Sequence, residues 1–149
     1  MSYVQLFIHA VIRTYKSEHT LPTDDRVKFL YQEIWGIIKN KGGHLYRINS
    51  MEDHVHVLFT LPPVCALSDF MKAVKASSSK IIKQVDGFEK FQAWGEGYAA
   101  LSYSLRDKDK IIQYIINQQE HHKKVTFKDE YIAFVKEMGL EFDERDWDR

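Results

Sequence analysis

Cysteine is almost missing from this 149-residue sequence, with Cys65 alone, and proline is scarce, with three. One thiol cannot close an internal disulfide, so the expectation is a fold held by its apolar core in a reducing, cytoplasmic setting. No apolar run approaches the ~18 residues of a helical membrane span, so no membrane partner is expected. Met1–Gln5 shows none of the basic, apolar and small-residue segments of a secretory leader. Net charge is absent too: 21 Lys and Arg offset 21 Asp and Glu, which, taken whole, removes the usual signature of a nucleic-acid binder. What remains, 44% hydrophobic and 28% charged residues, excludes disordered and fibrous classes. The length suits a single domain over residues 1–149 that buries roughly two-thirds of its unfolded surface.

The zero net charge conceals a division. Residues 128–149 carry eight acids and four bases, so the tail is −4 and the preceding 127 residues are +4. Within that body, Met71–Lys83 holds Lys72, Lys75, Lys80 and Lys83 and no acid. Such a run is either a solvated helix face or a surface that tracks phosphates, and charge alone does not choose.

Hydrophobic periodicity supplies the order of elements. Tyr3–Arg13 alternates, with Val4, Leu6, Ile8, Ala10 and Ile12 to one side, a strand pattern. Thr23 followed by Asp24 and Asp25 predicts a helix start, and Val27, Leu30, Tyr31, Ile34, Trp35 and Ile38 recur at helical spacing until Gly42-Gly43. His44–Asn49 and His54–Thr60 predict a hairpin. A helix follows from Ser68 to about Gln84, a loop over Asp86–Gly97, a strand over Tyr98–Leu105 and a helix over Asp107–His122. Thr126-Phe127-Lys128-Asp129 has the spacing of a capping box for a short last helix ending near Gly139. The order β-α-β-β-α-β predicts an α+β class: a ferredoxin-like, or RRM-like, antiparallel sheet with two helices on one face. The core would span about 3–122 and include an additional helix bearing Tyr114. A short C-terminal helix and acidic tail would occupy about 126–149. The second sheet face is left for a ligand or the Tyr114 helix.

Two clusters carry chemistry. His54-Val55-His56 places two imidazoles on one side of a strand, ready to chelate a metal, with Val55 pointing to the other side. On the later helix, Tyr114, Gln118 and His121 form a stripe beside Ile111, Ile112, Ile115 and Ile116. Tyr114 and Gln118 are four residues apart and can act at one place. Taken singly, the first is equally a hydrogen-bonded surface pair and the second an amphipathic edge.

Together they carry more. A strand with His-hydrophobic-His, then about sixty residues further on a helix with Tyr-x-x-Asn-Gln-x-x-His-His, closely resembles the single-tyrosine HUH transposases. These comprise small insertion-sequence transposases and REP-associated tyrosine transposases. Asp53–Leu58 with Leu61-Pro62-Pro63, Trp94–Ser104, Phe127–Tyr131 and Gly139–Glu144 resemble further blocks of that family, in its order and over nearly the whole chain. The N-terminal run His9–Lys16 departs from the family's usual turn, which bears on which DNA would be recognised.

The resemblance implies a metal-dependent transposase that nicks and rejoins single-stranded DNA, with a hairpin-bearing strand as partner. His54, His56 and Gln118 would be the metal ligands and Tyr114 the nucleophile, forming a 5′-phosphotyrosine. Mg²⁺ or Mn²⁺ would be the cofactor. Because two imidazoles and an amide hold such an ion thinly, it should be exchangeable and tight only with DNA present. Asp53, Asn117 and His121 are candidates for orienting ligands or handling protons. Lys72, Lys75, Lys80, Lys83 and Arg106 are candidates for DNA contacts. A homodimer acting in the cytoplasm at the nucleoid is expected. The alternatives are a non-catalytic single-strand binder, with Tyr46 and Phe59 stacking bases, and a domesticated host relative with the same chemistry.

Overall fold

A sheet of four strands, all paired antiparallel in the order β2-β3-β1-β4, organises the molecule. The computed structural model describes residues 1–149. The strands are β1 (Phe7–Arg13), β2 (His44–Ser50), β3 (His54–Thr60) and β4 (Ala99–Tyr103). The helices are α1 (Lys28–Asn40), α2 (Leu67–Ile82), α3 (Lys108–Ile116), α4 (Gln118–His121), α5 (Phe127–Glu137) and α6 (Glu144–Trp147). The first six elements run β-α-β-β-α-β, the expected α+β arrangement.

β1 begins at Phe7 rather than Tyr3. Its register pairs Phe7 with Thr60 on one side and Tyr103 on the other, where both neighbours end. Upstream there is no ladder to join, and Tyr3 and Val4 are exposed. From Phe7 on, every residue of β1 is buried, because both faces of this central strand are covered.

One face carries the main core. Ile8, Ala10 and Ile12 of β1 and Val55, Val57 and Phe59 of β3 pack with Leu30, Ile34 and Ile38 of α1 and Phe70 and Val74 of α2. Asp24, not Thr23, caps the helical entry, accepting from the Arg26 N–H at 3.0 Å into a 3₁₀ turn over Asp25–Val27. Gly42 leaves α1 at φ +88°, a conformation that favours glycine. Trp35, expected inward, lies on the flank of α1 and is half-exposed, with Lys39 Nζ 5.1 Å above its ring.

The other face bears Phe7, His9, Val11 and Arg13 of β1 and His54, His56 and Leu58 of β3. It is covered twice. Leu58 meets Ile111 and Ile115 of α3, while Val11 and Ala99 meet Phe127 and Phe134 of α5. The helix expected over Asp107–His122 breaks at Asn117 (φ −89°, ψ 17°), so Gln118 opens α4. Buried Arg13 holds the chain end, donating to the carbonyls of Trp147, at 3.0 Å, and Asp146. Its guanidinium also sits 5.3 Å from the Trp147 ring.

Candidate active site

The period of two along β3 turns His54 and His56 to the face covered by α3 and α5. Both are sealed from solvent, at 0% and 1% exposure, with ring centroids 5.0 Å apart. His54 Nδ1 donates to Asp53 Oδ1 at 2.6 Å, which orients the ring and directs Nε2 inward. Tyr114 reaches the same place from α3, its ring 5.8 Å from that of His56. Gln118 Oε1 lies 3.3 Å from His54 Nε2. The four residues expected to form the centre, His54, His56, Tyr114 and Gln118, therefore converge within one chain.

The hub is a residue outside that expectation. Glu130 of α5 projects into the cluster and is 6% exposed. Its Oε2 accepts a short hydrogen bond from the Tyr114 hydroxyl and another, at 3.0 Å, from Gln118 Nε2. Its Oε1 is 3.1 Å from His56 Nε2, 3.2 Å from His122 Nε2 and 3.5 Å from His54 Nε2. Donor atoms of His54, His56, His122 and Glu130 all lie within 4.8 Å of one another, a His/Glu cluster compatible with one metal ion. His9 extends the row across the sheet, its Nε2 2.8 Å from His56 Nδ1.

Of the supporting candidates, Asp53 holds His54 as described, and His121 Nε2 lies 3.1 Å from Glu130 Oε2. Asn117 does not join the cluster: it is exposed at the break between α3 and α4. Glu130 carries no distinct sequence signal, because an acid near a helix start reads as a dipole partner, and His122 carries only that of a longer motif. His9 carried a signal, a lone polar residue in an apolar strand, but only the β1–β3 register joins it to His56.

Burial and charge set the protonation states. Burial opposes ionisation of Glu130, yet the imidazoles of His122, His54 and His56 gathered around it hold it far below the usual carboxylate range. Burial lowers His56 to about 4, with repulsion from His54 and His122 adding to it and Glu130 working against it. Burial also pulls down on His54, but the Asp53 and Glu130 carboxylates outweigh it and raise that imidazole. The Tyr114 phenol is pushed well above its ordinary value by burial and then by the Glu130 carboxylate, so it is protonated at neutral pH.

A cleft of about 440 Å³ opens at the tyrosine side, lined by His9, Tyr103, Lys110, Tyr114, His121 and Glu130 among others. Arg106 is exposed immediately before α3, in the same layer. The lysines of α2 are placed differently. α2 packs on the opposite face of the sheet from the imidazoles, so exposed Lys72, Lys80 and Lys83 stand a layer away from them. Lys75 is committed to structure: its ammonium donates to the carbonyls of Gly95, at 2.7 Å, and Gly97, at 2.9 Å, tying the 86–98 loop to α2. Replacing Lys75 with Met is therefore expected to lower stability by about 1–2 kcal/mol while leaving DNA affinity unchanged. Chemical unfolding and a filter-binding titration would check the two halves.

Comparison with known proteins places this fold and this cluster among the transposases, and is specific about which. Residues 2–118 match the family described as "Transposase IS200 like", and the chain belongs to that family. It is similar to the ISDra2 transposase TnpA of Deinococcus radiodurans, 26% identical over 123 residues, covering 79% of this chain and 88% of that one. The crystal structure of a transposase candidate from Deinococcus radiodurans R1 is also 26% identical and superposes with a TM-score of 0.60 over 79% of this chain and 95% of that one. A REP-associated tyrosine transposase, solved bound to a REP hairpin, shares the fold. Its TM-score is 0.59 at 15% identity, over 84% of this chain and 73% of that one. The single-tyrosine transposase family expected from the motifs is the one found. No helix is long and apolar enough to cross a membrane.

Proposed function

We propose that this transposase cleaves single-stranded DNA with Tyr114 as nucleophile and rejoins it by the reverse reaction, at a divalent-metal centre built on His54, His56 and Gln118. The observation that carries this is that the Tyr114 hydroxyl and the His54 and His56 nitrogens meet at one carboxylate, Glu130, inside a single chain.

Mg²⁺ or Mn²⁺ held by these residues would supply positive charge to offset that of the phosphate and would favour its in-line alignment. The chain's own groups do the rest. Tyr114 is held protonated and Glu130 is a weak base, so the proton passes along the existing hydrogen bond to Glu130 Oε2 only as the phenolic oxygen forms its bond to phosphorus. The phenolic oxygen bonds to phosphorus, and the bond to the 3′ oxygen breaks. The departing 3′ oxygen takes a proton from solvent, to which Glu130 returns its own, leaving a 5′-phosphotyrosine and a free 3′-OH. Because the ester keeps the bond's energy, an incoming 3′-OH reverses the exchange without ATP. Asp53 fixes the His54 tautomer. Lys110, which lines the tyrosine cleft, and Arg106, in the turn that leads into α3, are stronger candidates for the DNA backbone than the α2 lysines. A hairpin-bearing strand is the proposed substrate, as in the solved REP-associated relative. The proposed assembly is a homodimer in which each chain furnishes its own complete site and two DNA ends are exchanged.

A non-catalytic binder finds less support, since Phe59, one of its two stacking aromatics, is 1% exposed and packed on Phe70 with ring centroids 4.9 Å apart, which leaves Tyr46 alone. The test is an end-labelled, hairpin-bearing single strand incubated with the protein and Mn²⁺. A protein–DNA product that survives denaturing electrophoresis, maps to Tyr114 by mass spectrometry and vanishes with EDTA is the expected outcome. Retained DNA binding with no covalent product would leave the binder as the correct reading.

A further inference from the structure

We propose that His122 and Glu130 are direct metal ligands, so that this chain builds a pocket of three imidazoles and a carboxylate rather than a paired-histidine site completed by an amide alone. The inference deepens the reading of His54 and His56 as ligands and rests on it.

The argument begins with the outward nitrogens. His122 Nδ1 lies 2.9 Å from the Val125 carbonyl, an acceptor only, so that nitrogen must carry the proton. His54 Nδ1 is bound in the same way by the Asp53 carboxylate at 2.6 Å. In the neutral rings, both Nε2 atoms then present bare lone pairs. What they face is oxygen: Glu130 Oε1 at 3.2 Å from His122 and 3.5 Å from His54, and Gln118 Oε1 at 2.9 Å and 3.3 Å. Lone pairs aimed at lone pairs in a buried pocket repel unless something positive lies among them. One divalent cation satisfies all the donors at once.

The spacing agrees. Donors on a tetrahedron with bonds of ~2.1 Å lie ~3.4 Å apart. The separations of Glu130 Oε1 from the three Nε2 atoms are 3.1, 3.2 and 3.5 Å. Each imidazole also has an outer partner of the kind that orients metal-bound histidine: Asp53 for His54, the Val125 carbonyl for His122 and His9 for His56. The His9 Nδ1 atom beyond finds no hydrogen-bond partner of its own, and the ring is held in the row by packing on Phe134, with centroids 5.0 Å apart. Gln118 Oε1 stays within reach as a further donor.

His122 and Glu130 both lie beyond the 2–118 segment that matches the family. His122 follows α4 and Glu130 lies on α5, so two separate elements bring these donors to the centre. Adding an imidazole and a charged oxygen reverses the expectation of a thinly held ion: the full chain should bind Mn²⁺ tightly with no DNA present.

The experiment titrates metal-free full-length protein with Mn²⁺ by calorimetry, without DNA. Wild type is expected to bind one equivalent, and Glu130→Gln and His122→Gln each to lose at least about tenfold in affinity. His54→Ala tests the underlying reading. If His54→Ala loses binding while the other two bind as wild type does, this inference falls and the paired-histidine site stands. If His54→Ala also binds normally, the site reading itself fails. A Glu130→Gln protein that keeps its Mn²⁺ affinity and nicks faster would identify the carboxylate as a plug and overturn the assignment. X-ray absorption of the Zn²⁺-loaded wild type needs no variant to fold: three imidazoles are expected, and two would refute the proposal.

Discussion

Tyr114→Phe is expected to abolish the covalent protein–DNA product, a loss of at least about three orders of magnitude, while the protein stays folded and still binds DNA. The ring itself belongs to the small cluster around Leu58, Ile111 and Ile115, and phenylalanine keeps those contacts. What disappears is one hydroxyl, and with it the hydrogen bond to Glu130. Glu130 retains the Gln118 amide and the imidazoles as partners, so the stability change should stay near 1 kcal/mol. A shift in melting temperature of only a few degrees, beside total loss of adduct, separates loss of the nucleophile from loss of the fold. Tyr103 is the built-in comparison. It lines the same cleft, but its hydroxyl faces Glu137 at 3.5 Å and not the imidazoles. Tyr103→Phe should keep adduct formation. If Tyr114→Phe cleaves normally and Tyr103→Phe does not, the nucleophile has been assigned to the wrong helix.

The contrast between those tyrosines shows what one-dimensional pattern can and cannot carry. The strands and α1 were legible because alternation and three-four spacing report burial on one face, and the β-α-β-β-α-β order then admits few topologies. The sheet order and the two-layer core follow from it. His54, His56, Tyr114 and Gln118 were legible by type and spacing, with the motif resemblance joining strand to helix. What escaped depends on elements distant in sequence. Glu130 is an acid in the first turn of α5, a position that local helix chemistry already explains. Nothing local says that α5 lies across the imidazoles rather than in solvent. Lys75 is the converse case: its charge reads as surface, while its ammonium is bonded to the Gly95 and Gly97 carbonyls. Trp35 and the Asn117 break show that a continuous apolar period overstates both how much of a helix is buried and how long it runs.

The consequence of α5's placement can be tested at its first residue. Phe127 follows the Thr126 cap, whose hydroxyl accepts from the Asp129 N–H at 3.2 Å, and its ring stacks flat on His54 with centroids 3.6 Å apart. It also contacts the Trp147 ring at 5.3 Å, so it joins the imidazole row to the chain end that Arg13 holds. Phe127→Ala removes a side chain that is 7% exposed and opens a cavity beside His54, which should cost about 3–5 kcal/mol. For a chain of this length that is a fall in melting temperature of about 10 °C. The loss should not stop at stability. Glu130 lies one helical turn further along α5, and an undocked first turn carries its carboxylate away from Tyr114 and the imidazoles. Mn²⁺ affinity and adduct yield should therefore fall together, even at temperatures where the variant remains folded, and Phe127→Leu, which refills part of the cavity, should recover part of both. A destabilised variant that binds Mn²⁺ and forms adduct like wild type in the cold would show that the C-terminal layer only covers the site and takes no part in it.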